Sequence, residues 1–255
     1  AMHLSWQFLM IVLSGIVLIA LIPIYRYRQK TNSVNNEPIN KNKQLSIYDF
    51  KGFFMRKNIW KRVILLMLFY SGIVGILAML KPYLVDLGYS IREIAFMTGI
   101  FGTAFGAGST FLGGFIIRKL GNKKAMKLFS FYAFIAALVV GLVASGGNSE
   151  FLIYISIAII WSAYGMCSVA IYTISMNTIR EGREGSDYTI QIVITHLSSL
   201  LIVILSGKIG DLIGYSGLFF AEAGLALTVL FLIRYLYHDP ELTLENNNQQ
   251  IKQRA

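Results

Sequence analysis

The chain has 255 residues, 55% of them hydrophobic, and a mean hydropathy of +0.60. Only 14% are Asp, Glu, Lys or Arg, against roughly 25% in soluble domains, which excludes an ordinary soluble enzyme and a disordered chain. The net charge of +10 accompanies long apolar runs, so it points to basic loops flanking membrane spans rather than to nucleic acid.

The first apolar run, Leu4 to Tyr25, exceeds the core of a signal peptide, and its basic cluster (Arg26, Arg28, Lys30) follows rather than precedes it. It reads as a membrane helix over residues 1–25 with its N-terminus outside. Residues 26–59 read as a cytoplasmic loop. In it, Thr31 to Lys43 is an Asn- and Lys-rich linker. Ile47, Phe50, Phe53 and Phe54, among Lys51, Arg56 and Lys57, have helix-like spacing and suggest a short interfacial helix. Six further runs follow at about 60–82, 93–117, 126–145, 151–177, 188–206 and 216–237. Together they form an expected six-helix bundle over 60–237, before a cytoplasmic tail, 238–255. Seven spans with the N-terminus outside place 20 of the 23 basic residues on the cytoplasmic side, leaving Lys81, Arg92 and Lys208 outside. The charge asymmetry therefore favours this orientation.

Gly114-Phe-Ile-Ile-Arg118-Lys-Leu-Gly121 and Gly207-Lys-Ile-Gly-Asp211-Leu-Ile-Gly214 share one spacing of glycine, charge and glycine, 93 residues apart. Each ends the middle span of a group of three. Three being odd, the groups enter the bilayer from opposite sides, as in an inverted-topology repeat of a secondary transporter. Glycine there would let helices approach closely, and the charge would contact a neighbouring helix end as a latch.

The stretch GFIIRKLGNKK, residues 114–124, resembles the cytoplasmic loop signature of the major facilitator superfamily, which Gly114, Lys119, Gly121 and Lys123 match; Arg118 stands where the signature usually has Asp. One span, a basic loop and six spans resemble helix six, the central loop and helices seven to twelve of that fold. The resemblance thus covers nearly the whole chain and implies an all-α polytopic fold whose N-terminal half is missing. KPYLVDLGYS (81–90) and SDYTIQ (186–191) look like the muropeptide permease (AmpG-type) and siderophore permease branch. That branch implies proton-coupled uptake of a polar organic solute, a muropeptide or siderophore, across a bacterial inner membrane.

A solute path should be lined by the few polar groups near mid-membrane. Trp161, Tyr164, Ser168, Tyr172 and Ser175 recur at helical spacing on one face, where an indole and phenols can stack on and hydrogen-bond to a solute. Plain helix packing is the alternative. Tyr70, on the span 60–82, is counted with them. Asp187, Gln191 and Thr195 share a face at steps of four, with Asp187 also suited to a helix N-cap. His196 could carry a proton near neutral pH, or bond a neighbouring helix. Glu222, two turns into the last run, must face a wet cavity, pair with a base or stay protonated, since an ionised acid at mid-bilayer costs at least about 2.5–3.5 kcal/mol. Glu222, His196 and Asp187 are the proton-coupling candidates. Thr98, Gly102, Gly106 and Ser109 to Gly113 form a small-residue face suited to close packing.

No hydrolase elbow, zinc-protease or phosphate-loop motif occurs, and Cys167 is the single cysteine. No enzyme, cofactor or metal site is expected. The expected partners are the bilayer, a small solute, protons and the complementary half. A non-transporting membrane scaffold or sensor is the alternative, and a membrane transferase a weaker one.

Overall fold

The computed structural model describes residues 6–26, 47–56, 58–146, 149–180 and 182–237. The linker expected over Thr31 to Lys43 and the tail 238–255 lie outside the described residues. All regular elements among the described residues are helices. The chain divides into two units, Ala1–Gln44 and Leu45–Ala255. In the first, α1 (Trp6–Arg26) runs for 21 residues, about 31 Å, enough to cross the roughly 30 Å hydrocarbon layer. Its Ser14 hydroxyl donates back to the Met10 carbonyl at 2.8 Å, so the one hydroxyl mid-helix is satisfied without a partner helix.

The second unit opens with α2 (Ile47–Phe54), a helix where the aromatic spacing predicts one. Phe53 is buried against Ile59, Val63 and Ile190, while Phe50 and Trp60 are exposed. The chain then reverses at Asn58, in the left-handed conformation. There follow α3 (Ile59–Leu68), α4 (Ser71–Asp86), α5 (Ile91–Ile94), a π-helical segment (Ala95–Gly102), α6 (Thr103–Leu120), α7 (Asn122–Gly146), α8 (Glu150–Met176) and α9 (Glu184–Leu236). A Ser90–Glu93 capping box starts α5, satisfying two amides that would otherwise lack acceptors.

Among the described residues of this second unit, five helical stretches are long and apolar enough to cross a membrane: Ile59–Asp86, Ile91–Leu120, Asn122–Gly146, Glu150–Met176 and Glu184–Leu236. The last, at 53 residues, would measure about 80 Å if straight. It is not straight. Gly214 has φ 74° and ψ 173°, which divides α9 into two arms, 184–213 and 215–236. Ser206 and Glu222 lie 16 residues apart yet hydrogen-bond at 2.6 Å, so the arms fold back on each other. The first arm runs on to the glycine, past the end of the run at 206 expected from hydropathy.

The repeat glycines behave alike. Gly121, closing the α6–α7 turn, has φ 77° and ψ 161°, close to Gly214. Such backbone is essentially restricted to glycine, because a Cβ would clash with the neighbouring peptide. Gly121→Ala or Gly214→Ala is expected to cost about 1–3 kcal/mol. Gly210, where a Cβ meets nothing closer than Leu218 Cδ2 at 3.5 Å, is the control. Denaturation of the purified variants in detergent checks this.

The core joins α4, α7, α8 and the second arm of α9, through Ile73, Ile76, Leu80, Ala136, Val140, Ile157, Ile160 and Phe219. The seam of the π-helical segment and α6 against α8 uses small residues instead. A Cβ on Gly102 would strike the Trp161 indole at 2.5 Å, and one on Gly113 would meet Val169 Cγ1 at 2.8 Å. The small-residue face predicted on this span is therefore a packing surface. In a bilayer, where apolar burial drives nothing, such backbone proximity supplies the dispersion that holds helices together.

Candidate functional site

The first candidate region lies where α3 gives way to α4. Tyr70, at the junction, leaves helical geometry with φ −125° and ψ 17°. The carbonyls at the end of α3 take side-chain hydroxyls: Ser71 Oγ donates to Leu68 O at 2.8 Å and Ser198 Oγ to Met67 O at 2.6 Å. This is how a membrane helix tolerates an interruption. Tyr70 packs on Tyr164 of α8 (ring centroids 6.0 Å apart), and Tyr164 meets Trp161 edge-on at 5.9 Å. Ser199 of α9 lies at 3.5 Å from the Tyr70 hydroxyl. The Trp161 indole N–H is buried and finds no acceptor among the described residues, a cost of about 1–3 kcal/mol for a donor left so. Three of the predicted path residues thus form one aromatic row. Ser168 is half-buried on the same helix, while Tyr172 stands 40% exposed.

The second region is a buried polar network at the start of α9. Asp187 is fully buried. Arg180 grips it with Nη2–Oδ1 at 2.6 Å, Nε–Oδ2 at 2.9 Å and its own backbone N–H to Oδ2 at 3.0 Å. Arg56, from the α2–α3 corner, approaches Oδ2 at 3.5 Å and donates to Thr178 O at 3.0 Å. Burial pushes the Arg56 guanidinium below its ordinary pKa; Asp187 opposes this and Arg180 adds to it. One turn deeper, Arg62 Nε donates to Gln191 Oε1 at 2.6 Å, and Arg62 Nη2 to Ile174 O at 2.6 Å. Gln191 Nε2 donates to Ser175 O at 3.2 Å and Asp187 O at 3.1 Å, and Thr195 Oγ1 donates to Gln191 O at 2.9 Å.

Asp187 is not the N-cap that its neighbours suggested, because α9 starts three residues earlier, at Glu184. Its lone pairs go to guanidinium and a loop amide instead. Arg56, Arg62 and Arg180 were legible only as loop charges. The available signal was a charged pair, Lys61 and Arg62, inside the start of the apolar run 60–82.

The third region surrounds Glu222, which is 5% exposed. Ser206 Oγ donates to its Oε1 at 2.6 Å, and no ion pair reaches it among the described residues. Its floor is α4: a Cβ on Gly75 would collide with Glu222 Oε1 and Ser206 Oγ, and one on Gly72 would lie 2.6 Å from Glu222 O. The alternative pairing of Glu222 with Lys208 or Arg92 is therefore not formed. His196 is exposed on the outward surface of α9, between Val193 and Leu197.

The signature loop holds a correction. Nothing lies within 4 Å of a Cβ placed on Gly114, and the nearest atom to one on Gly207 is Met79 Cε at 3.9 Å. Close helix approach does not require these two glycines. Nor does Arg118 reach a neighbouring helix end among the described residues; its guanidinium lies over Phe115 of its own helix at 6.0 Å. Lys123, by contrast, sits over the Tyr237 ring at the end of α9, at 6.0 Å. Lys119 is exposed.

Comparison with known proteins agrees with this geometry. A family model described as Major Facilitator Superfamily matches residues 1–201. Two curated relatives, both named "Putative transporter AmpG 4", come from Rickettsia felis (strain ATCC VR-1525 / URRWXCal2) and Rickettsia conorii (strain ATCC VR-613 / Malish 7). Each is 24% identical, over 248 and 246 residues respectively, covering 91% of this chain. The chain spans 57% of the length of each relative.

Proposed function

Because this chain belongs to the major facilitator superfamily of membrane transporters, we propose that it forms the C-terminal helical half of a proton-coupled carrier for a polar organic solute of the muropeptide or siderophore kind. In this reading a complementary bundle completes the solute cavity, and the two halves rock to alternate access. The basic ends of the helices face the cytoplasm of a bacterial cell, and α2 lies along that face. The relatives' names, "Putative transporter AmpG 4", support a transporter; the solute class rests on the resemblance of residues 81–90 and 186–191.

The observation that carries the coupling is the Glu222 carboxyl, buried against glycine and held by one hydroxyl, with no base beside it among the described residues. Such a group can take a proton in one conformation and release it in another, when the parting of α4 and α9 lets water in. Trp161, Tyr164 and Tyr70 line the path, with the buried indole N–H free to donate to a solute oxygen. Ser168, Tyr172, Gln191 and Thr195 flank this row on α8 and α9. Gln191 and Thr195 reach solute only if the Arg62 network opens. Asp187 is neutralised by Arg180 and Arg56, so in this reading it holds the helix ends together; His196 meets the complementary bundle.

The test is transport by the transporter with both halves present. Glu222→Gln is expected to abolish uptake driven by a proton gradient while leaving solute exchange at equal concentrations intact. Unchanged gradient-driven uptake in that variant would remove Glu222 from the coupling. Loss of both activities would assign it to folding or solute binding.

A further inference from the structure

We propose that Lys127 and Arg234, flanked by Phe231 and Tyr235, hold the phosphodiester headgroup of an anionic phospholipid at the seam between α7 and the second arm of α9. The proposal needs only that these helices span a bilayer, and it is independent of the transport reading. The two helices pack side by side, and Lys123 over the Tyr237 ring fixes the start of α7 beside the end of α9. At this end a groove of about 310 Å³ opens, lined by Lys127, Leu230, Phe231, Arg234 and Tyr235.

Depth places the groove at the lipid headgroups. Lys127 is five residues into α7, and Arg234 two residues before the end of α9, hence about 7.5 Å and 3 Å from the helix ends. The polar layer on each side of the hydrocarbon is roughly 5–7 Å thick. The surface chemistry fits that level. Phe231 and Tyr235 are one helical turn apart and stand 66% and 70% exposed, as aromatic residues do where acyl chains meet headgroups.

Charge selects the ligand. The ion pairs found among the described residues both belong to Asp187, so no carboxylate is paired with Lys127 or Arg234 there. Two cations from two different helices converge on one concavity with Leu230 in its wall. A guanidinium matches two phosphate oxygens at once, and an ammonium adds a point charge. Free phosphate satisfies the cations but leaves the aromatic pair and Leu230 without acyl chains to cover them. A phospholipid satisfies both.

The experiment is native mass spectrometry of the chain released from detergent holding equal phosphatidylglycerol and phosphatidylcholine. The wild-type chain is expected to retain phosphatidylglycerol preferentially. Lys127→Gln or Arg234→Gln should weaken that retention about fivefold each, as expected for one cation near an anionic lipid surface. Lys119→Gln/Lys124→Gln removes two exposed cations of the same hairpin that lie outside the groove, and should change little. Equal weakening by this control pair would reduce the effect to diffuse charge and overturn the site. So would full retention by the double variant Lys127→Gln/Arg234→Gln with unchanged helix content. Displacement of the lipid by millimolar glycerol 3-phosphate would assign the groove to a soluble phosphate instead, and overturn the lipid.

Discussion

Asp187→Ala is expected to destabilise the helical bundle by about 3–5 kcal/mol, the usual effect of removing one partner from a buried ion pair. The carboxylate is fully buried, whereas Arg180 and Arg56 are 29% and 32% exposed. Without it, two guanidiniums face each other at the α8–α9 turn, and the Arg180 backbone amide loses its acceptor. Their partial exposure lets each swing toward water, so the loss should fall near the lower bound. The midpoint of unfolding by SDS titration measures it. Arg180→Met on the Asp187→Ala background should recover part of the loss, by removing one uncompensated charge. A shift below about 1 kcal/mol for Asp187→Ala would mean that the pair is screened like a surface bridge.

Gly72→Ala should disrupt the α4–α9 contact by about 1–3 kcal/mol, as overpacking does in a close-packed interior. The added carbon would lie 2.6 Å from the Glu222 carbonyl oxygen and 3.4 Å from its carbon. Backbone cannot swing aside as a side chain can, so the helices must part. Gly165→Ala should behave alike, since its Cβ would strike Gly106 O and Ser109 Oγ across the α6–α8 seam. Gly108→Ala is the opposite case. Nothing lies within 4 Å of its Cβ, and alanine's better helix propensity should stabilise α6 by about 0.5–1 kcal/mol. Thermal melts of the three variants, taken together, separate contact from propensity. Gly72→Ala has a second consequence: by moving α9 it also displaces the Glu222 carboxyl, so under the proton-coupled reading it should impair gradient-driven uptake.

Much of the fold was legible along the chain, because each span must satisfy its own backbone hydrogen bonds within a single helix and expose apolar side chains. Both requirements are local and leave a run of apolar residues. The glycine repeat was legible for a related reason. Backbone such as that of Gly121 and Gly214 admits almost no other residue, so the turn imposes its residue type on the sequence. What the repeat did not reveal is which part of it matters. The glycine that closes each copy, Gly121 or Gly214, sets the turn, whereas the one that opens it meets no close neighbour.

The candidate sites were legible only as single residues. Tyr70, Tyr164 and Trp161 come from two helices, and Glu222 finds Ser206 and Gly75 on others. Helical periodicity identifies a face and is silent on what the face meets. It grouped Asp187, Gln191 and Thr195 correctly on one side of α9, and could not show that Arg56, Arg62 and Arg180 already occupy that side. Nor could the sequence show that His196, read as a proton carrier or as a bond to a neighbouring helix, stands exposed among the described residues.

The amino-acid order by itself therefore determined that the chain is a membrane-spanning helical protein, roughly where its helices run, and where glycine ends two of them. Those properties follow from the cost of placing peptide groups and charges in hydrocarbon, which each segment meets alone. Only the tertiary structure decided which polar side chains neutralise one another and which remain available. That outcome depends on distances of 3–6 Å between helices far apart in sequence, set by how glycine and serine let their backbones approach.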